Sequence, residues 1–334
     1  MNQVPTLIVA EAGVNHNGDL EIARSLIEAA AEAGADLVKF QTLRADRRVG
    51  RQDSLAAYQW LSGESDHFEM IRRLELSRAD HERLIEFCCS NGIGFFSTGF
   101  DIESVDLLLE LGQTRFKVAS GEIDNLPLLR HIGSLGCEVI LSTGMAEMTE
   151  IRDALDVLQS AGTPLDLVTV LHCTTDYPAS LSDVNLTAMN AIGREFGVAF
   201  GYSDHTLGIE ASVAAVALGA SVIEKHFTLD RELPGPDHQA SLEPSELAAM
   251  VQSIRKVEAA LGDGHKCPVE SELRNLVHTR RSIVAARRIR AGELFDDSNI
   301  CAKRPATGLS PMRWDDVVGR RASRDFDIDE MIEL

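Results

Sequence analysis

Three features that the sequence lacks narrow the class of protein. Its 334 residues contain no apolar run near the roughly 20 residues that a membrane helix needs, and no basic-then-apolar leader begins it. The six cysteines form no Cys-x-x-Cys pair, which argues against a zinc ribbon or a thioredoxin-like site. Acidic residues outnumber basic ones, and a formal charge of −20 argues against a nucleic-acid partner. We therefore expect a cytoplasmic protein with reduced thiols and no membrane or nucleic-acid partner.

The residues that are present suit an enzyme with a barrel and a smaller second domain. Hydrophobic residues make up 44% and charged residues 25%, and the length allows a barrel of about 250 residues with some 80 to spare. The stretch 262–268 contains two glycines and a proline and breaks the preceding helical pattern. We predict a barrel domain over 1–262, a linker over 263–278 that includes a short helix, and a small β-rich domain over 279–334.

Eight short apolar runs between Thr6 and Thr228 each end in a cluster of polar residues. Helical segments lie between them, with apolar residues at three- and four-residue spacing. This alternation predicts a (β/α)8 TIM barrel, whereas a doubly wound sheet would need a Gly-x-Gly-x-x-Gly turn after its first strand. The segment Leu43–Leu76 is too long for a simple connection, and we interpret it as an active-site lid. The strand ends of such a barrel meet at one mouth, where catalytic groups lie.

Two lysines, Lys39 and Lys117, stand inside predicted strands. Because a buried ammonium group is costly without compensation, each needs a partner or a function. They could clamp a phosphate or carboxylate, or one could be a Schiff-base nucleophile, since burial lowers the pKa of a lysine. A structural ion pair with a glutamate inside the barrel is the third possibility.

Hydroxyl groups next to glycine turns follow three successive strands, at Ser97-Thr98-Gly99, Ser120-Gly121 and Ser142-Thr143-Gly144. Hydroxyls and backbone N–H groups at such turns bind phosphate oxygens without adding charge. One such pair is weak support, because strand ends need turns in any case. Three of them on neighbouring strands predict an anion site.

Two histidines, His205 and His226, end the seventh and eighth strands. Neighbouring strand ends lie roughly 5 Å apart, so both imidazoles could hold one divalent ion, with a carboxylate or two beside them. A single histidine at a strand end would more often be structural, but the pair favours a metal site. Ser203 points the same way as His205, and Glu224 the same way as His226, because side chains alternate along a strand.

Two carboxyl groups, Glu11 and Glu122, could act as general acid or base, or could neutralise the lysines. The residues alone do not separate these two roles for either carboxyl group. Asp237 could bind a hydroxylated substrate or cap a turn. The remaining secondary candidates are Tyr177, His172 and His238.

Taken in order, six sequence blocks resemble the sialic acid synthase family, also called nonulosonate synthases, over essentially the whole chain. The tail, with Arg280–Ala285 and Lys303-Arg304-Pro305, is similar to the family's antifreeze-like SAF domain. The resemblance implies homodimers in which this domain is swapped to cap the partner's barrel. The six blocks are Ala10–Gly18, Val38–Thr42, Lys117–Glu122, Leu141–Met145, Gly201–Thr206 and Glu224–Thr228.

The resemblance also implies a reaction, in which phosphoenolpyruvate condenses with an open-chain N-acyl mannosamine to a nine-carbon 2-keto acid and phosphate. It implies a divalent metal, which we expect to be Mn²⁺, on His205 and His226, and an amino-sugar site. It assigns to phosphoenolpyruvate Lys39, Thr98, Lys117, Ser120, Ser142 and Ser203. It assigns to the sugar Glu11, Glu122, Tyr177, Asp237 and Arg304. For the reaction implied in this way, we favour Glu122 for handling the proton and keep Glu11 as the alternative.

The acceptor sugar is left open by the sequence. N-acetylmannosamine is the first expectation. Many bacterial sialic acid synthases carry Asn near the position of Thr175, however, and this departure fits 2,4-diacetamido-2,4,6-trideoxymannose, the precursor of N,N'-diacetyllegionaminic acid. A Schiff-base aldolase that uses Lys117 or Lys39 is the more remote alternative.

Overall fold

Eight parallel strands form a nearly closed barrel in the computed structural model, which describes residues 4–48 and 67–334. Their hydrogen-bonded order is β3-β2-β1-β8-β7-β6-β5-β4, and β3 and β4 meet at the seam. The predicted TIM barrel is confirmed. The strands are β1 Leu7–Gly13, β2 Leu37–Thr42, β3 Gly94–Gly99, β4 Arg115–Val118, β5 Glu138–Ser142, β6 Val168–Cys173, β7 Ala199–Asp204 and β8 Val222–His226.

Helices connect the strands, and local sequence sets where several of them begin. The Ser77 hydroxyl and the Asp80 carboxylate form a capping box at the start of α4, and Asp19 accepts backbone N–H groups at the start of α1. Gly34, with φ of 82°, ends α1 in the left-handed conformation that glycine adopts at little cost. The helices of this unit are α1 Leu20–Ala33, α2 Ala45–Arg48, α3 His67–Arg73, α4 Arg78–Ser90, α5 Ile102–Glu110, α6 Leu126–Ser134, α7 Met148–Ala161, α8 Thr187–Phe196, α9 Glu210–Ala217 and α10 Pro244–Leu261.

The strand register sets which side chains lie at the same level of the barrel. Glu11 on β1 is level with Lys39 on β2 and with His226 on β8. Ser203 on β7 is level with Glu224 on β8. The apolar side chains of the strands pack inside the barrel and against the helices, so the polar side chains at the strand ends are held on a rigid frame.

The chain divides into two compact units, Met1–Asp263 and Gly264–Leu334. The second contains the helix α11 Glu270–Thr279, a two-stranded antiparallel sheet of β9 Ser282–Ala285 and β10 Ile300–Lys303, and the short helix α12 Trp314–Val317. Isolated bridges such as Ile289 with Phe326 extend the pairing, and Phe295 packs edge-on against Phe326 with ring centroids 5.8 Å apart. This is the small β-rich domain that the sequence predicts.

The predicted lid segment lies partly outside the described residues, which omit 49–66. Its described ends contain α2 and α3. Leu43, Met70 and Ile71 are buried in an apolar cluster of their own. Among the described residues, no helix has both the length and the apolar character to cross a membrane.

Candidate active site

The strand ends surround one cavity of about 220 Å³ in the barrel mouth. Twelve of the predicted site residues line it, whereas Arg304 belongs to the second unit and is exposed there. The secondary candidates His172 and His238 do not line it. The roles assigned to these residues stay predictions. The predicted residues that line the cavity are Glu11, Lys39, Thr98, Lys117, Ser120, Glu122, Ser142, Tyr177, Ser203, His205, His226 and Asp237.

The floor of the cavity is a buried charge cluster centred on Glu224. Its carboxylate lies 2.7 Å from Lys39 Nζ and 3.6 Å from Lys117 Nζ, and it accepts a hydrogen bond from the Ser203 hydroxyl at 3.2 Å. Lys39 also lies 3.5 Å from the Glu11 carboxylate. All of these side chains are almost completely buried. The structural ion pair considered from the sequence is therefore present, and one glutamate serves both lysines.

The two carboxyl groups of this cluster differ in ionisation. Burial raises the pKa of Glu11 to about 8, although the neighbouring Lys39 works in the opposite direction. Burial also raises the pKa of Glu224, but Lys117 and Lys39 together lower it by more, to about 2. Glu224 is therefore the ionised carboxylate of the cluster, and Glu11 is the carboxyl group that holds a proton more readily.

The two lysines also differ. Burial lowers the pKa of Lys39, but the neighbouring Glu11 and Glu224 raise it by more, so the pKa lies above its ordinary value. Burial lowers the pKa of Lys117, and its partner Glu224 only partly restores it. With one ionised carboxylate between two ammonium groups, the floor has an excess of positive charge, which favours an anionic ligand.

A second polar group surrounds the end of β4. Lys117 donates a hydrogen bond to the Ser142 hydroxyl at 2.7 Å. The Ser120 hydroxyl accepts the backbone N–H of Gly144 at 2.9 Å and lies 3.2 Å from Cys173 Sγ. Thr98 is buried at the end of β3 and lines the same cavity. These hydroxyls lie beside the positive floor, as binding of a phosphate or carboxylate would require.

The two histidines lie on the opposite side of the cavity. Their ring centroids are 5.6 Å apart, and the Tyr177 ring lies 4.2 Å from that of His205 and edge-on to His226 at 5.8 Å. His205 Nδ1–H donates to the Thr174 carbonyl at 2.6 Å, which leaves the lone pair on Nε2. Burial lowers the pKa of both imidazoles, that of His226 well below its ordinary value. Both are neutral at neutral pH, the form that binds metal ions.

These residues fit a divalent cation, but they do not make a complete ligand set. His226 Nδ1 is buried with no hydrogen-bond partner in the part of the chain that the structure describes, which suits a ligand atom. Within that part, no cluster of three or more His, Cys, Asp or Glu suits a metal. Glu224 binds Lys39 and Ser203, so the expectation that carboxylates join the two histidines stays a prediction. A cation at this point would take its other ligands from substrate or water.

The remaining candidates lie at the rim or outside the cavity. Glu122 ends a 3₁₀ turn, half-buried, and accepts a hydrogen bond from the Asn125 amide at 2.7 Å. Asp237 is buried, with a carboxylate oxygen 4.0 Å from His226 Nδ1. His172 donates to the Val184 carbonyl at 2.7 Å and lines a neighbouring groove.

His238 also has a structural role. It lies 2.7 Å from the Thr228 hydroxyl and 3.3 Å from the Asn17 amide, and it is fully buried. His172 and His238, which the sequence offers as secondary candidates, therefore do not line the cavity.

Two sets of cavity residues escape prediction from the sequence. One is Glu224. The alternation of side chains along a strand predicts which way Glu224 points, but it does not predict that Glu224 contacts both lysines. The sequence feature that could have indicated this contact is the pair of buried lysines, because buried ammonium groups need an anion nearby. The other is an apolar set on the side of β1 to β3, which includes Met70 and Ile71. Nothing in the sequence distinguishes these from core residues. Thr175 also lines the cavity, near the position at which many bacterial sialic acid synthases carry Asn.

Comparison with known proteins gives the family. The model of the NeuB family matches residues 26–266, and that of the SAF domain matches residues 280–333. The chain belongs to the NeuB family. It is therefore an enzyme of the nonulosonic acid synthase type, as the resemblance of its strand ends implies.

Named relatives of this NeuB-family chain are similar over nearly its full length. It is 50% identical to an N,N'-diacetyllegionaminic acid synthase of Campylobacter jejuni, over 98% of both chains. It is 48% identical to the enzyme of the same name from Legionella pneumophila, over 95% of this chain and 90% of that one. A solved structure of an N-acetylneuraminic acid synthetase from Leptospira borgpetersenii, in complex with citrate, is 36% identical, with a TM-score of 0.73 over 81% of this chain and 90% of its own.

Proposed function

We propose that this NeuB-family enzyme condenses phosphoenolpyruvate with open-chain 2,4-diacetamido-2,4,6-trideoxymannose to give N,N'-diacetyllegionaminic acid and phosphate. The observation that carries the choice of sugar is the similarity, over nearly the whole chain, to two synthases of that product. N-acetylmannosamine, which the family resemblance alone puts first, is the less favoured acceptor. Thr175, in place of Asn, agrees with this choice.

Phosphoenolpyruvate is assigned to the positive floor and the hydroxyls beside it. Lys39 and Lys117 offset the charge of its phosphate and carboxylate groups, and they are fixed in place by Glu224. Ser120, Ser142, Ser203 and Thr98 supply hydroxyls within the same cavity. Because Glu224 neutralises only one of the two ammonium groups, the net charge of the floor favours the anion.

The sugar is assigned to the outer part of the cavity, where Tyr177, Asp237 and Glu122 lie. Bond formation between C3 of phosphoenolpyruvate and C1 of the sugar leaves negative charge on the aldehyde oxygen, which must receive a proton. Glu11 is level with both Lys39 and His226, between the anion side and the histidine side. Glu122 lies at the rim with Asn125. This geometry favours Glu11 as the proton donor, and Glu122 as a sugar contact.

A divalent metal, with Mn²⁺ the first candidate, is assigned to His205 and His226. When bound, it would polarise the aldehyde oxygen as a Lewis acid. The Thr174 carbonyl orients His205, and the Tyr177 ring packs against that of His205 and stands edge-on to that of His226. In the second half of the reaction, water adds at C2 and the C2–O bond to phosphate breaks. The lysines then hold the departing phosphate.

A homodimer with composite sites completes the proposal. Arg304 follows β10 in the second unit and is exposed, as a residue that binds a ligand in another subunit would be. The same unit has apolar side chains largely open to solvent, with Leu273 53% and Met312 93% exposed. A dimer interface would bury side chains of this kind. The partner subunit's Arg304 would then contact the N-acyl group of the sugar.

A phosphate-release assay tests the proposal. The enzyme is mixed with phosphoenolpyruvate and either the diacetamido sugar or N-acetylmannosamine, with Mn²⁺ or after treatment with EDTA. We expect release that needs metal and is faster with the diacetamido sugar. A higher kcat/KM with N-acetylmannosamine would contradict the sugar assignment. Full activity in EDTA, together with borohydride trapping of a keto acid on Lys117 or Lys39, would establish the Schiff-base aldolase instead.

A further inference from the structure

One side of the active-site cavity is apolar, although its floor is charged. The apolar side chains come from the strand ends β1 to β3 and from α3, and each is 9% exposed or less. We call this set the apolar wall. Its members are Val14, Leu43, Met70, Ile71, Leu74 and Phe100.

The apolar wall is a built surface with a packed layer behind it. Its residues form a single cluster, in which Ala45 is also buried and against which Phe68 and Ala119 pack. Neither Ala45 nor Phe68 lines the cavity. Met70 and Ile71, side by side on α3, are thus held from behind and present part of their surface to the cavity. A wall fixed in this way can distinguish ligands by shape and polarity.

Phosphoenolpyruvate does not account for the apolar wall. That substrate is small and highly charged, and the lysines and hydroxyls of the floor provide its contacts. The acceptor sugar is the other molecule that must enter the cavity. 2,4-Diacetamido-2,4,6-trideoxymannose has three methyl groups, one on each acetyl group and one at C6. N-acetylmannosamine has a single methyl group, and hydroxyls at C4 and C6.

We infer that the apolar wall determines the acceptor sugar, with Met70 and Ile71 contacting the C6 methyl group and the methyl of the C4 acetamido group. This inference rests on the proposed function and names the residues that select its sugar. Methyl groups bury apolar area against the wall. The two extra hydroxyls of N-acetylmannosamine would instead lose water against the wall, whose side chains offer them no hydrogen bond. Each methyl or hydroxyl group placed against such a wall can change the ratio of kcat/KM between two substrates by roughly 10- to 200-fold.

Two conservative variants test the inference. Met70→Gln keeps the length of the side chain and Ile71→Thr keeps its branched shape, while each adds a polar group to the wall. Initial rates are measured for both sugars at saturating phosphoenolpyruvate, and the KM for phosphoenolpyruvate is measured separately. Phe68→Leu is the matched control, because it disturbs the same cluster from behind without facing the cavity.

We expect each variant to lower the ratio of kcat/KM for the diacetamido sugar over N-acetylmannosamine by about tenfold. The KM for phosphoenolpyruvate and the ratio in Phe68→Leu should stay at wild-type values. An equal loss for both sugars, or a ratio that changes as much in Phe68→Leu, would overturn the inference while leaving the proposed function intact. A wild-type enzyme that uses neither sugar would instead reject the proposed function.

Discussion

At the scale of single residues, the floor of the cavity depends on Glu224. It is the anion that both Lys39 and Lys117 contact, and all three are buried. Removing one partner of a buried ion pair is costly, because the remaining charge has lost its compensation. Glu11 can release its proton to compensate Lys39, but it leaves Lys117 without an equivalent partner. Stability and anion binding should therefore be coupled through this side chain.

We expect Glu224→Gln to lower the free energy of unfolding by about 3 kcal/mol in the absence of ligands. Phosphoenolpyruvate should restore more stability to the variant than to the wild type, because it supplies the missing negative charge. Urea unfolding with and without phosphoenolpyruvate measures both effects. Glu138→Gln, which removes a partly exposed pair with Arg115, is the control and should cost less than about 1 kcal/mol. Equal stabilisation of wild type and Glu224→Gln by the ligand would contradict the coupling.

His16 illustrates a different effect of burial on a single residue. The ring is fully buried, its Nδ1 accepts the Gly18 backbone N–H at 3.0 Å, and burial lowers its pKa to about 4. The unfolded chain, with an ordinary histidine pKa of about 6.5, takes up a proton first as the pH falls. Below about pH 6.5 the unfolded state therefore binds more protons than the folded state, so stability is lost as the pH falls towards 4.

From pH 7 to pH 5, His16 should account for a loss of about 2 kcal/mol in the free energy of unfolding. His81, whose pKa is also lowered by burial, acts in the same direction. In His16→Asn the dependence of stability on pH should be weaker by about that amount, as measured by urea unfolding at pH 7, 6 and 5. If the variant and the wild type lose stability in parallel, His16 does not resist protonation in the folded state.

At the scale of elements, the position of α3 depends on a glycine in another connection. Gly18 has φ of +79°, and a Cβ there would lie 2.3 Å from the Arg73 carbonyl oxygen at the end of α3. Gly92 has a similar φ of +70°, but within the described residues a Cβ there meets no atom inside 4 Å. The two glycines share the cost of a left-handed conformation and differ in the contact with α3.

Gly92→Ala should lower the free energy of unfolding by about 1–2 kcal/mol through backbone strain alone. Gly18→Ala should cost about 1–3 kcal/mol more, because α3 must move. Since α3 carries Met70 and Ile71, Gly18→Ala should also lower kcat/KM for the diacetamido sugar, which Gly92→Ala should leave unchanged. Urea unfolding and initial rates test both expectations. Similar losses in the two variants would show that the carbonyl contact has no consequence for α3.

Elements of this fold differ in how far the sequence predicts them. The barrel strands could be predicted, because each apolar run is followed by polar strand-end residues and a helical period. The positions of Lys39, Lys117, His205 and His226 in one cavity follow from the strand ends of a barrel. The apolar wall does not follow, because Met70 on a short helix has the pattern of any core residue. Only the three-dimensional structure shows which buried side chains face the cavity.

At the scale of the whole molecule, the site is proposed to need two chains. In this proposal, the barrel unit supplies His205 and the second unit supplies Arg304. A two-fold dimer in which each second unit serves the other subunit pairs the His205 of one chain with the partner's Arg304 in every site. A single-chain arrangement pairs residues of the same chain. These two arrangements predict opposite results when inactive variants are mixed.

The mixing experiment uses His205→Ala and Arg304→Ala, each of which should have low activity alone at a limiting concentration of sugar. When equal amounts exchange subunits, half of the dimers contain one chain of each kind. In the shared arrangement, one site of such a dimer has both residues intact, so that roughly a quarter of the wild-type activity returns. Mixing each variant with itself is the control. If the exchanged mixture shows only the mean of the two variants, Arg304 acts within its own chain, or does not act on the site.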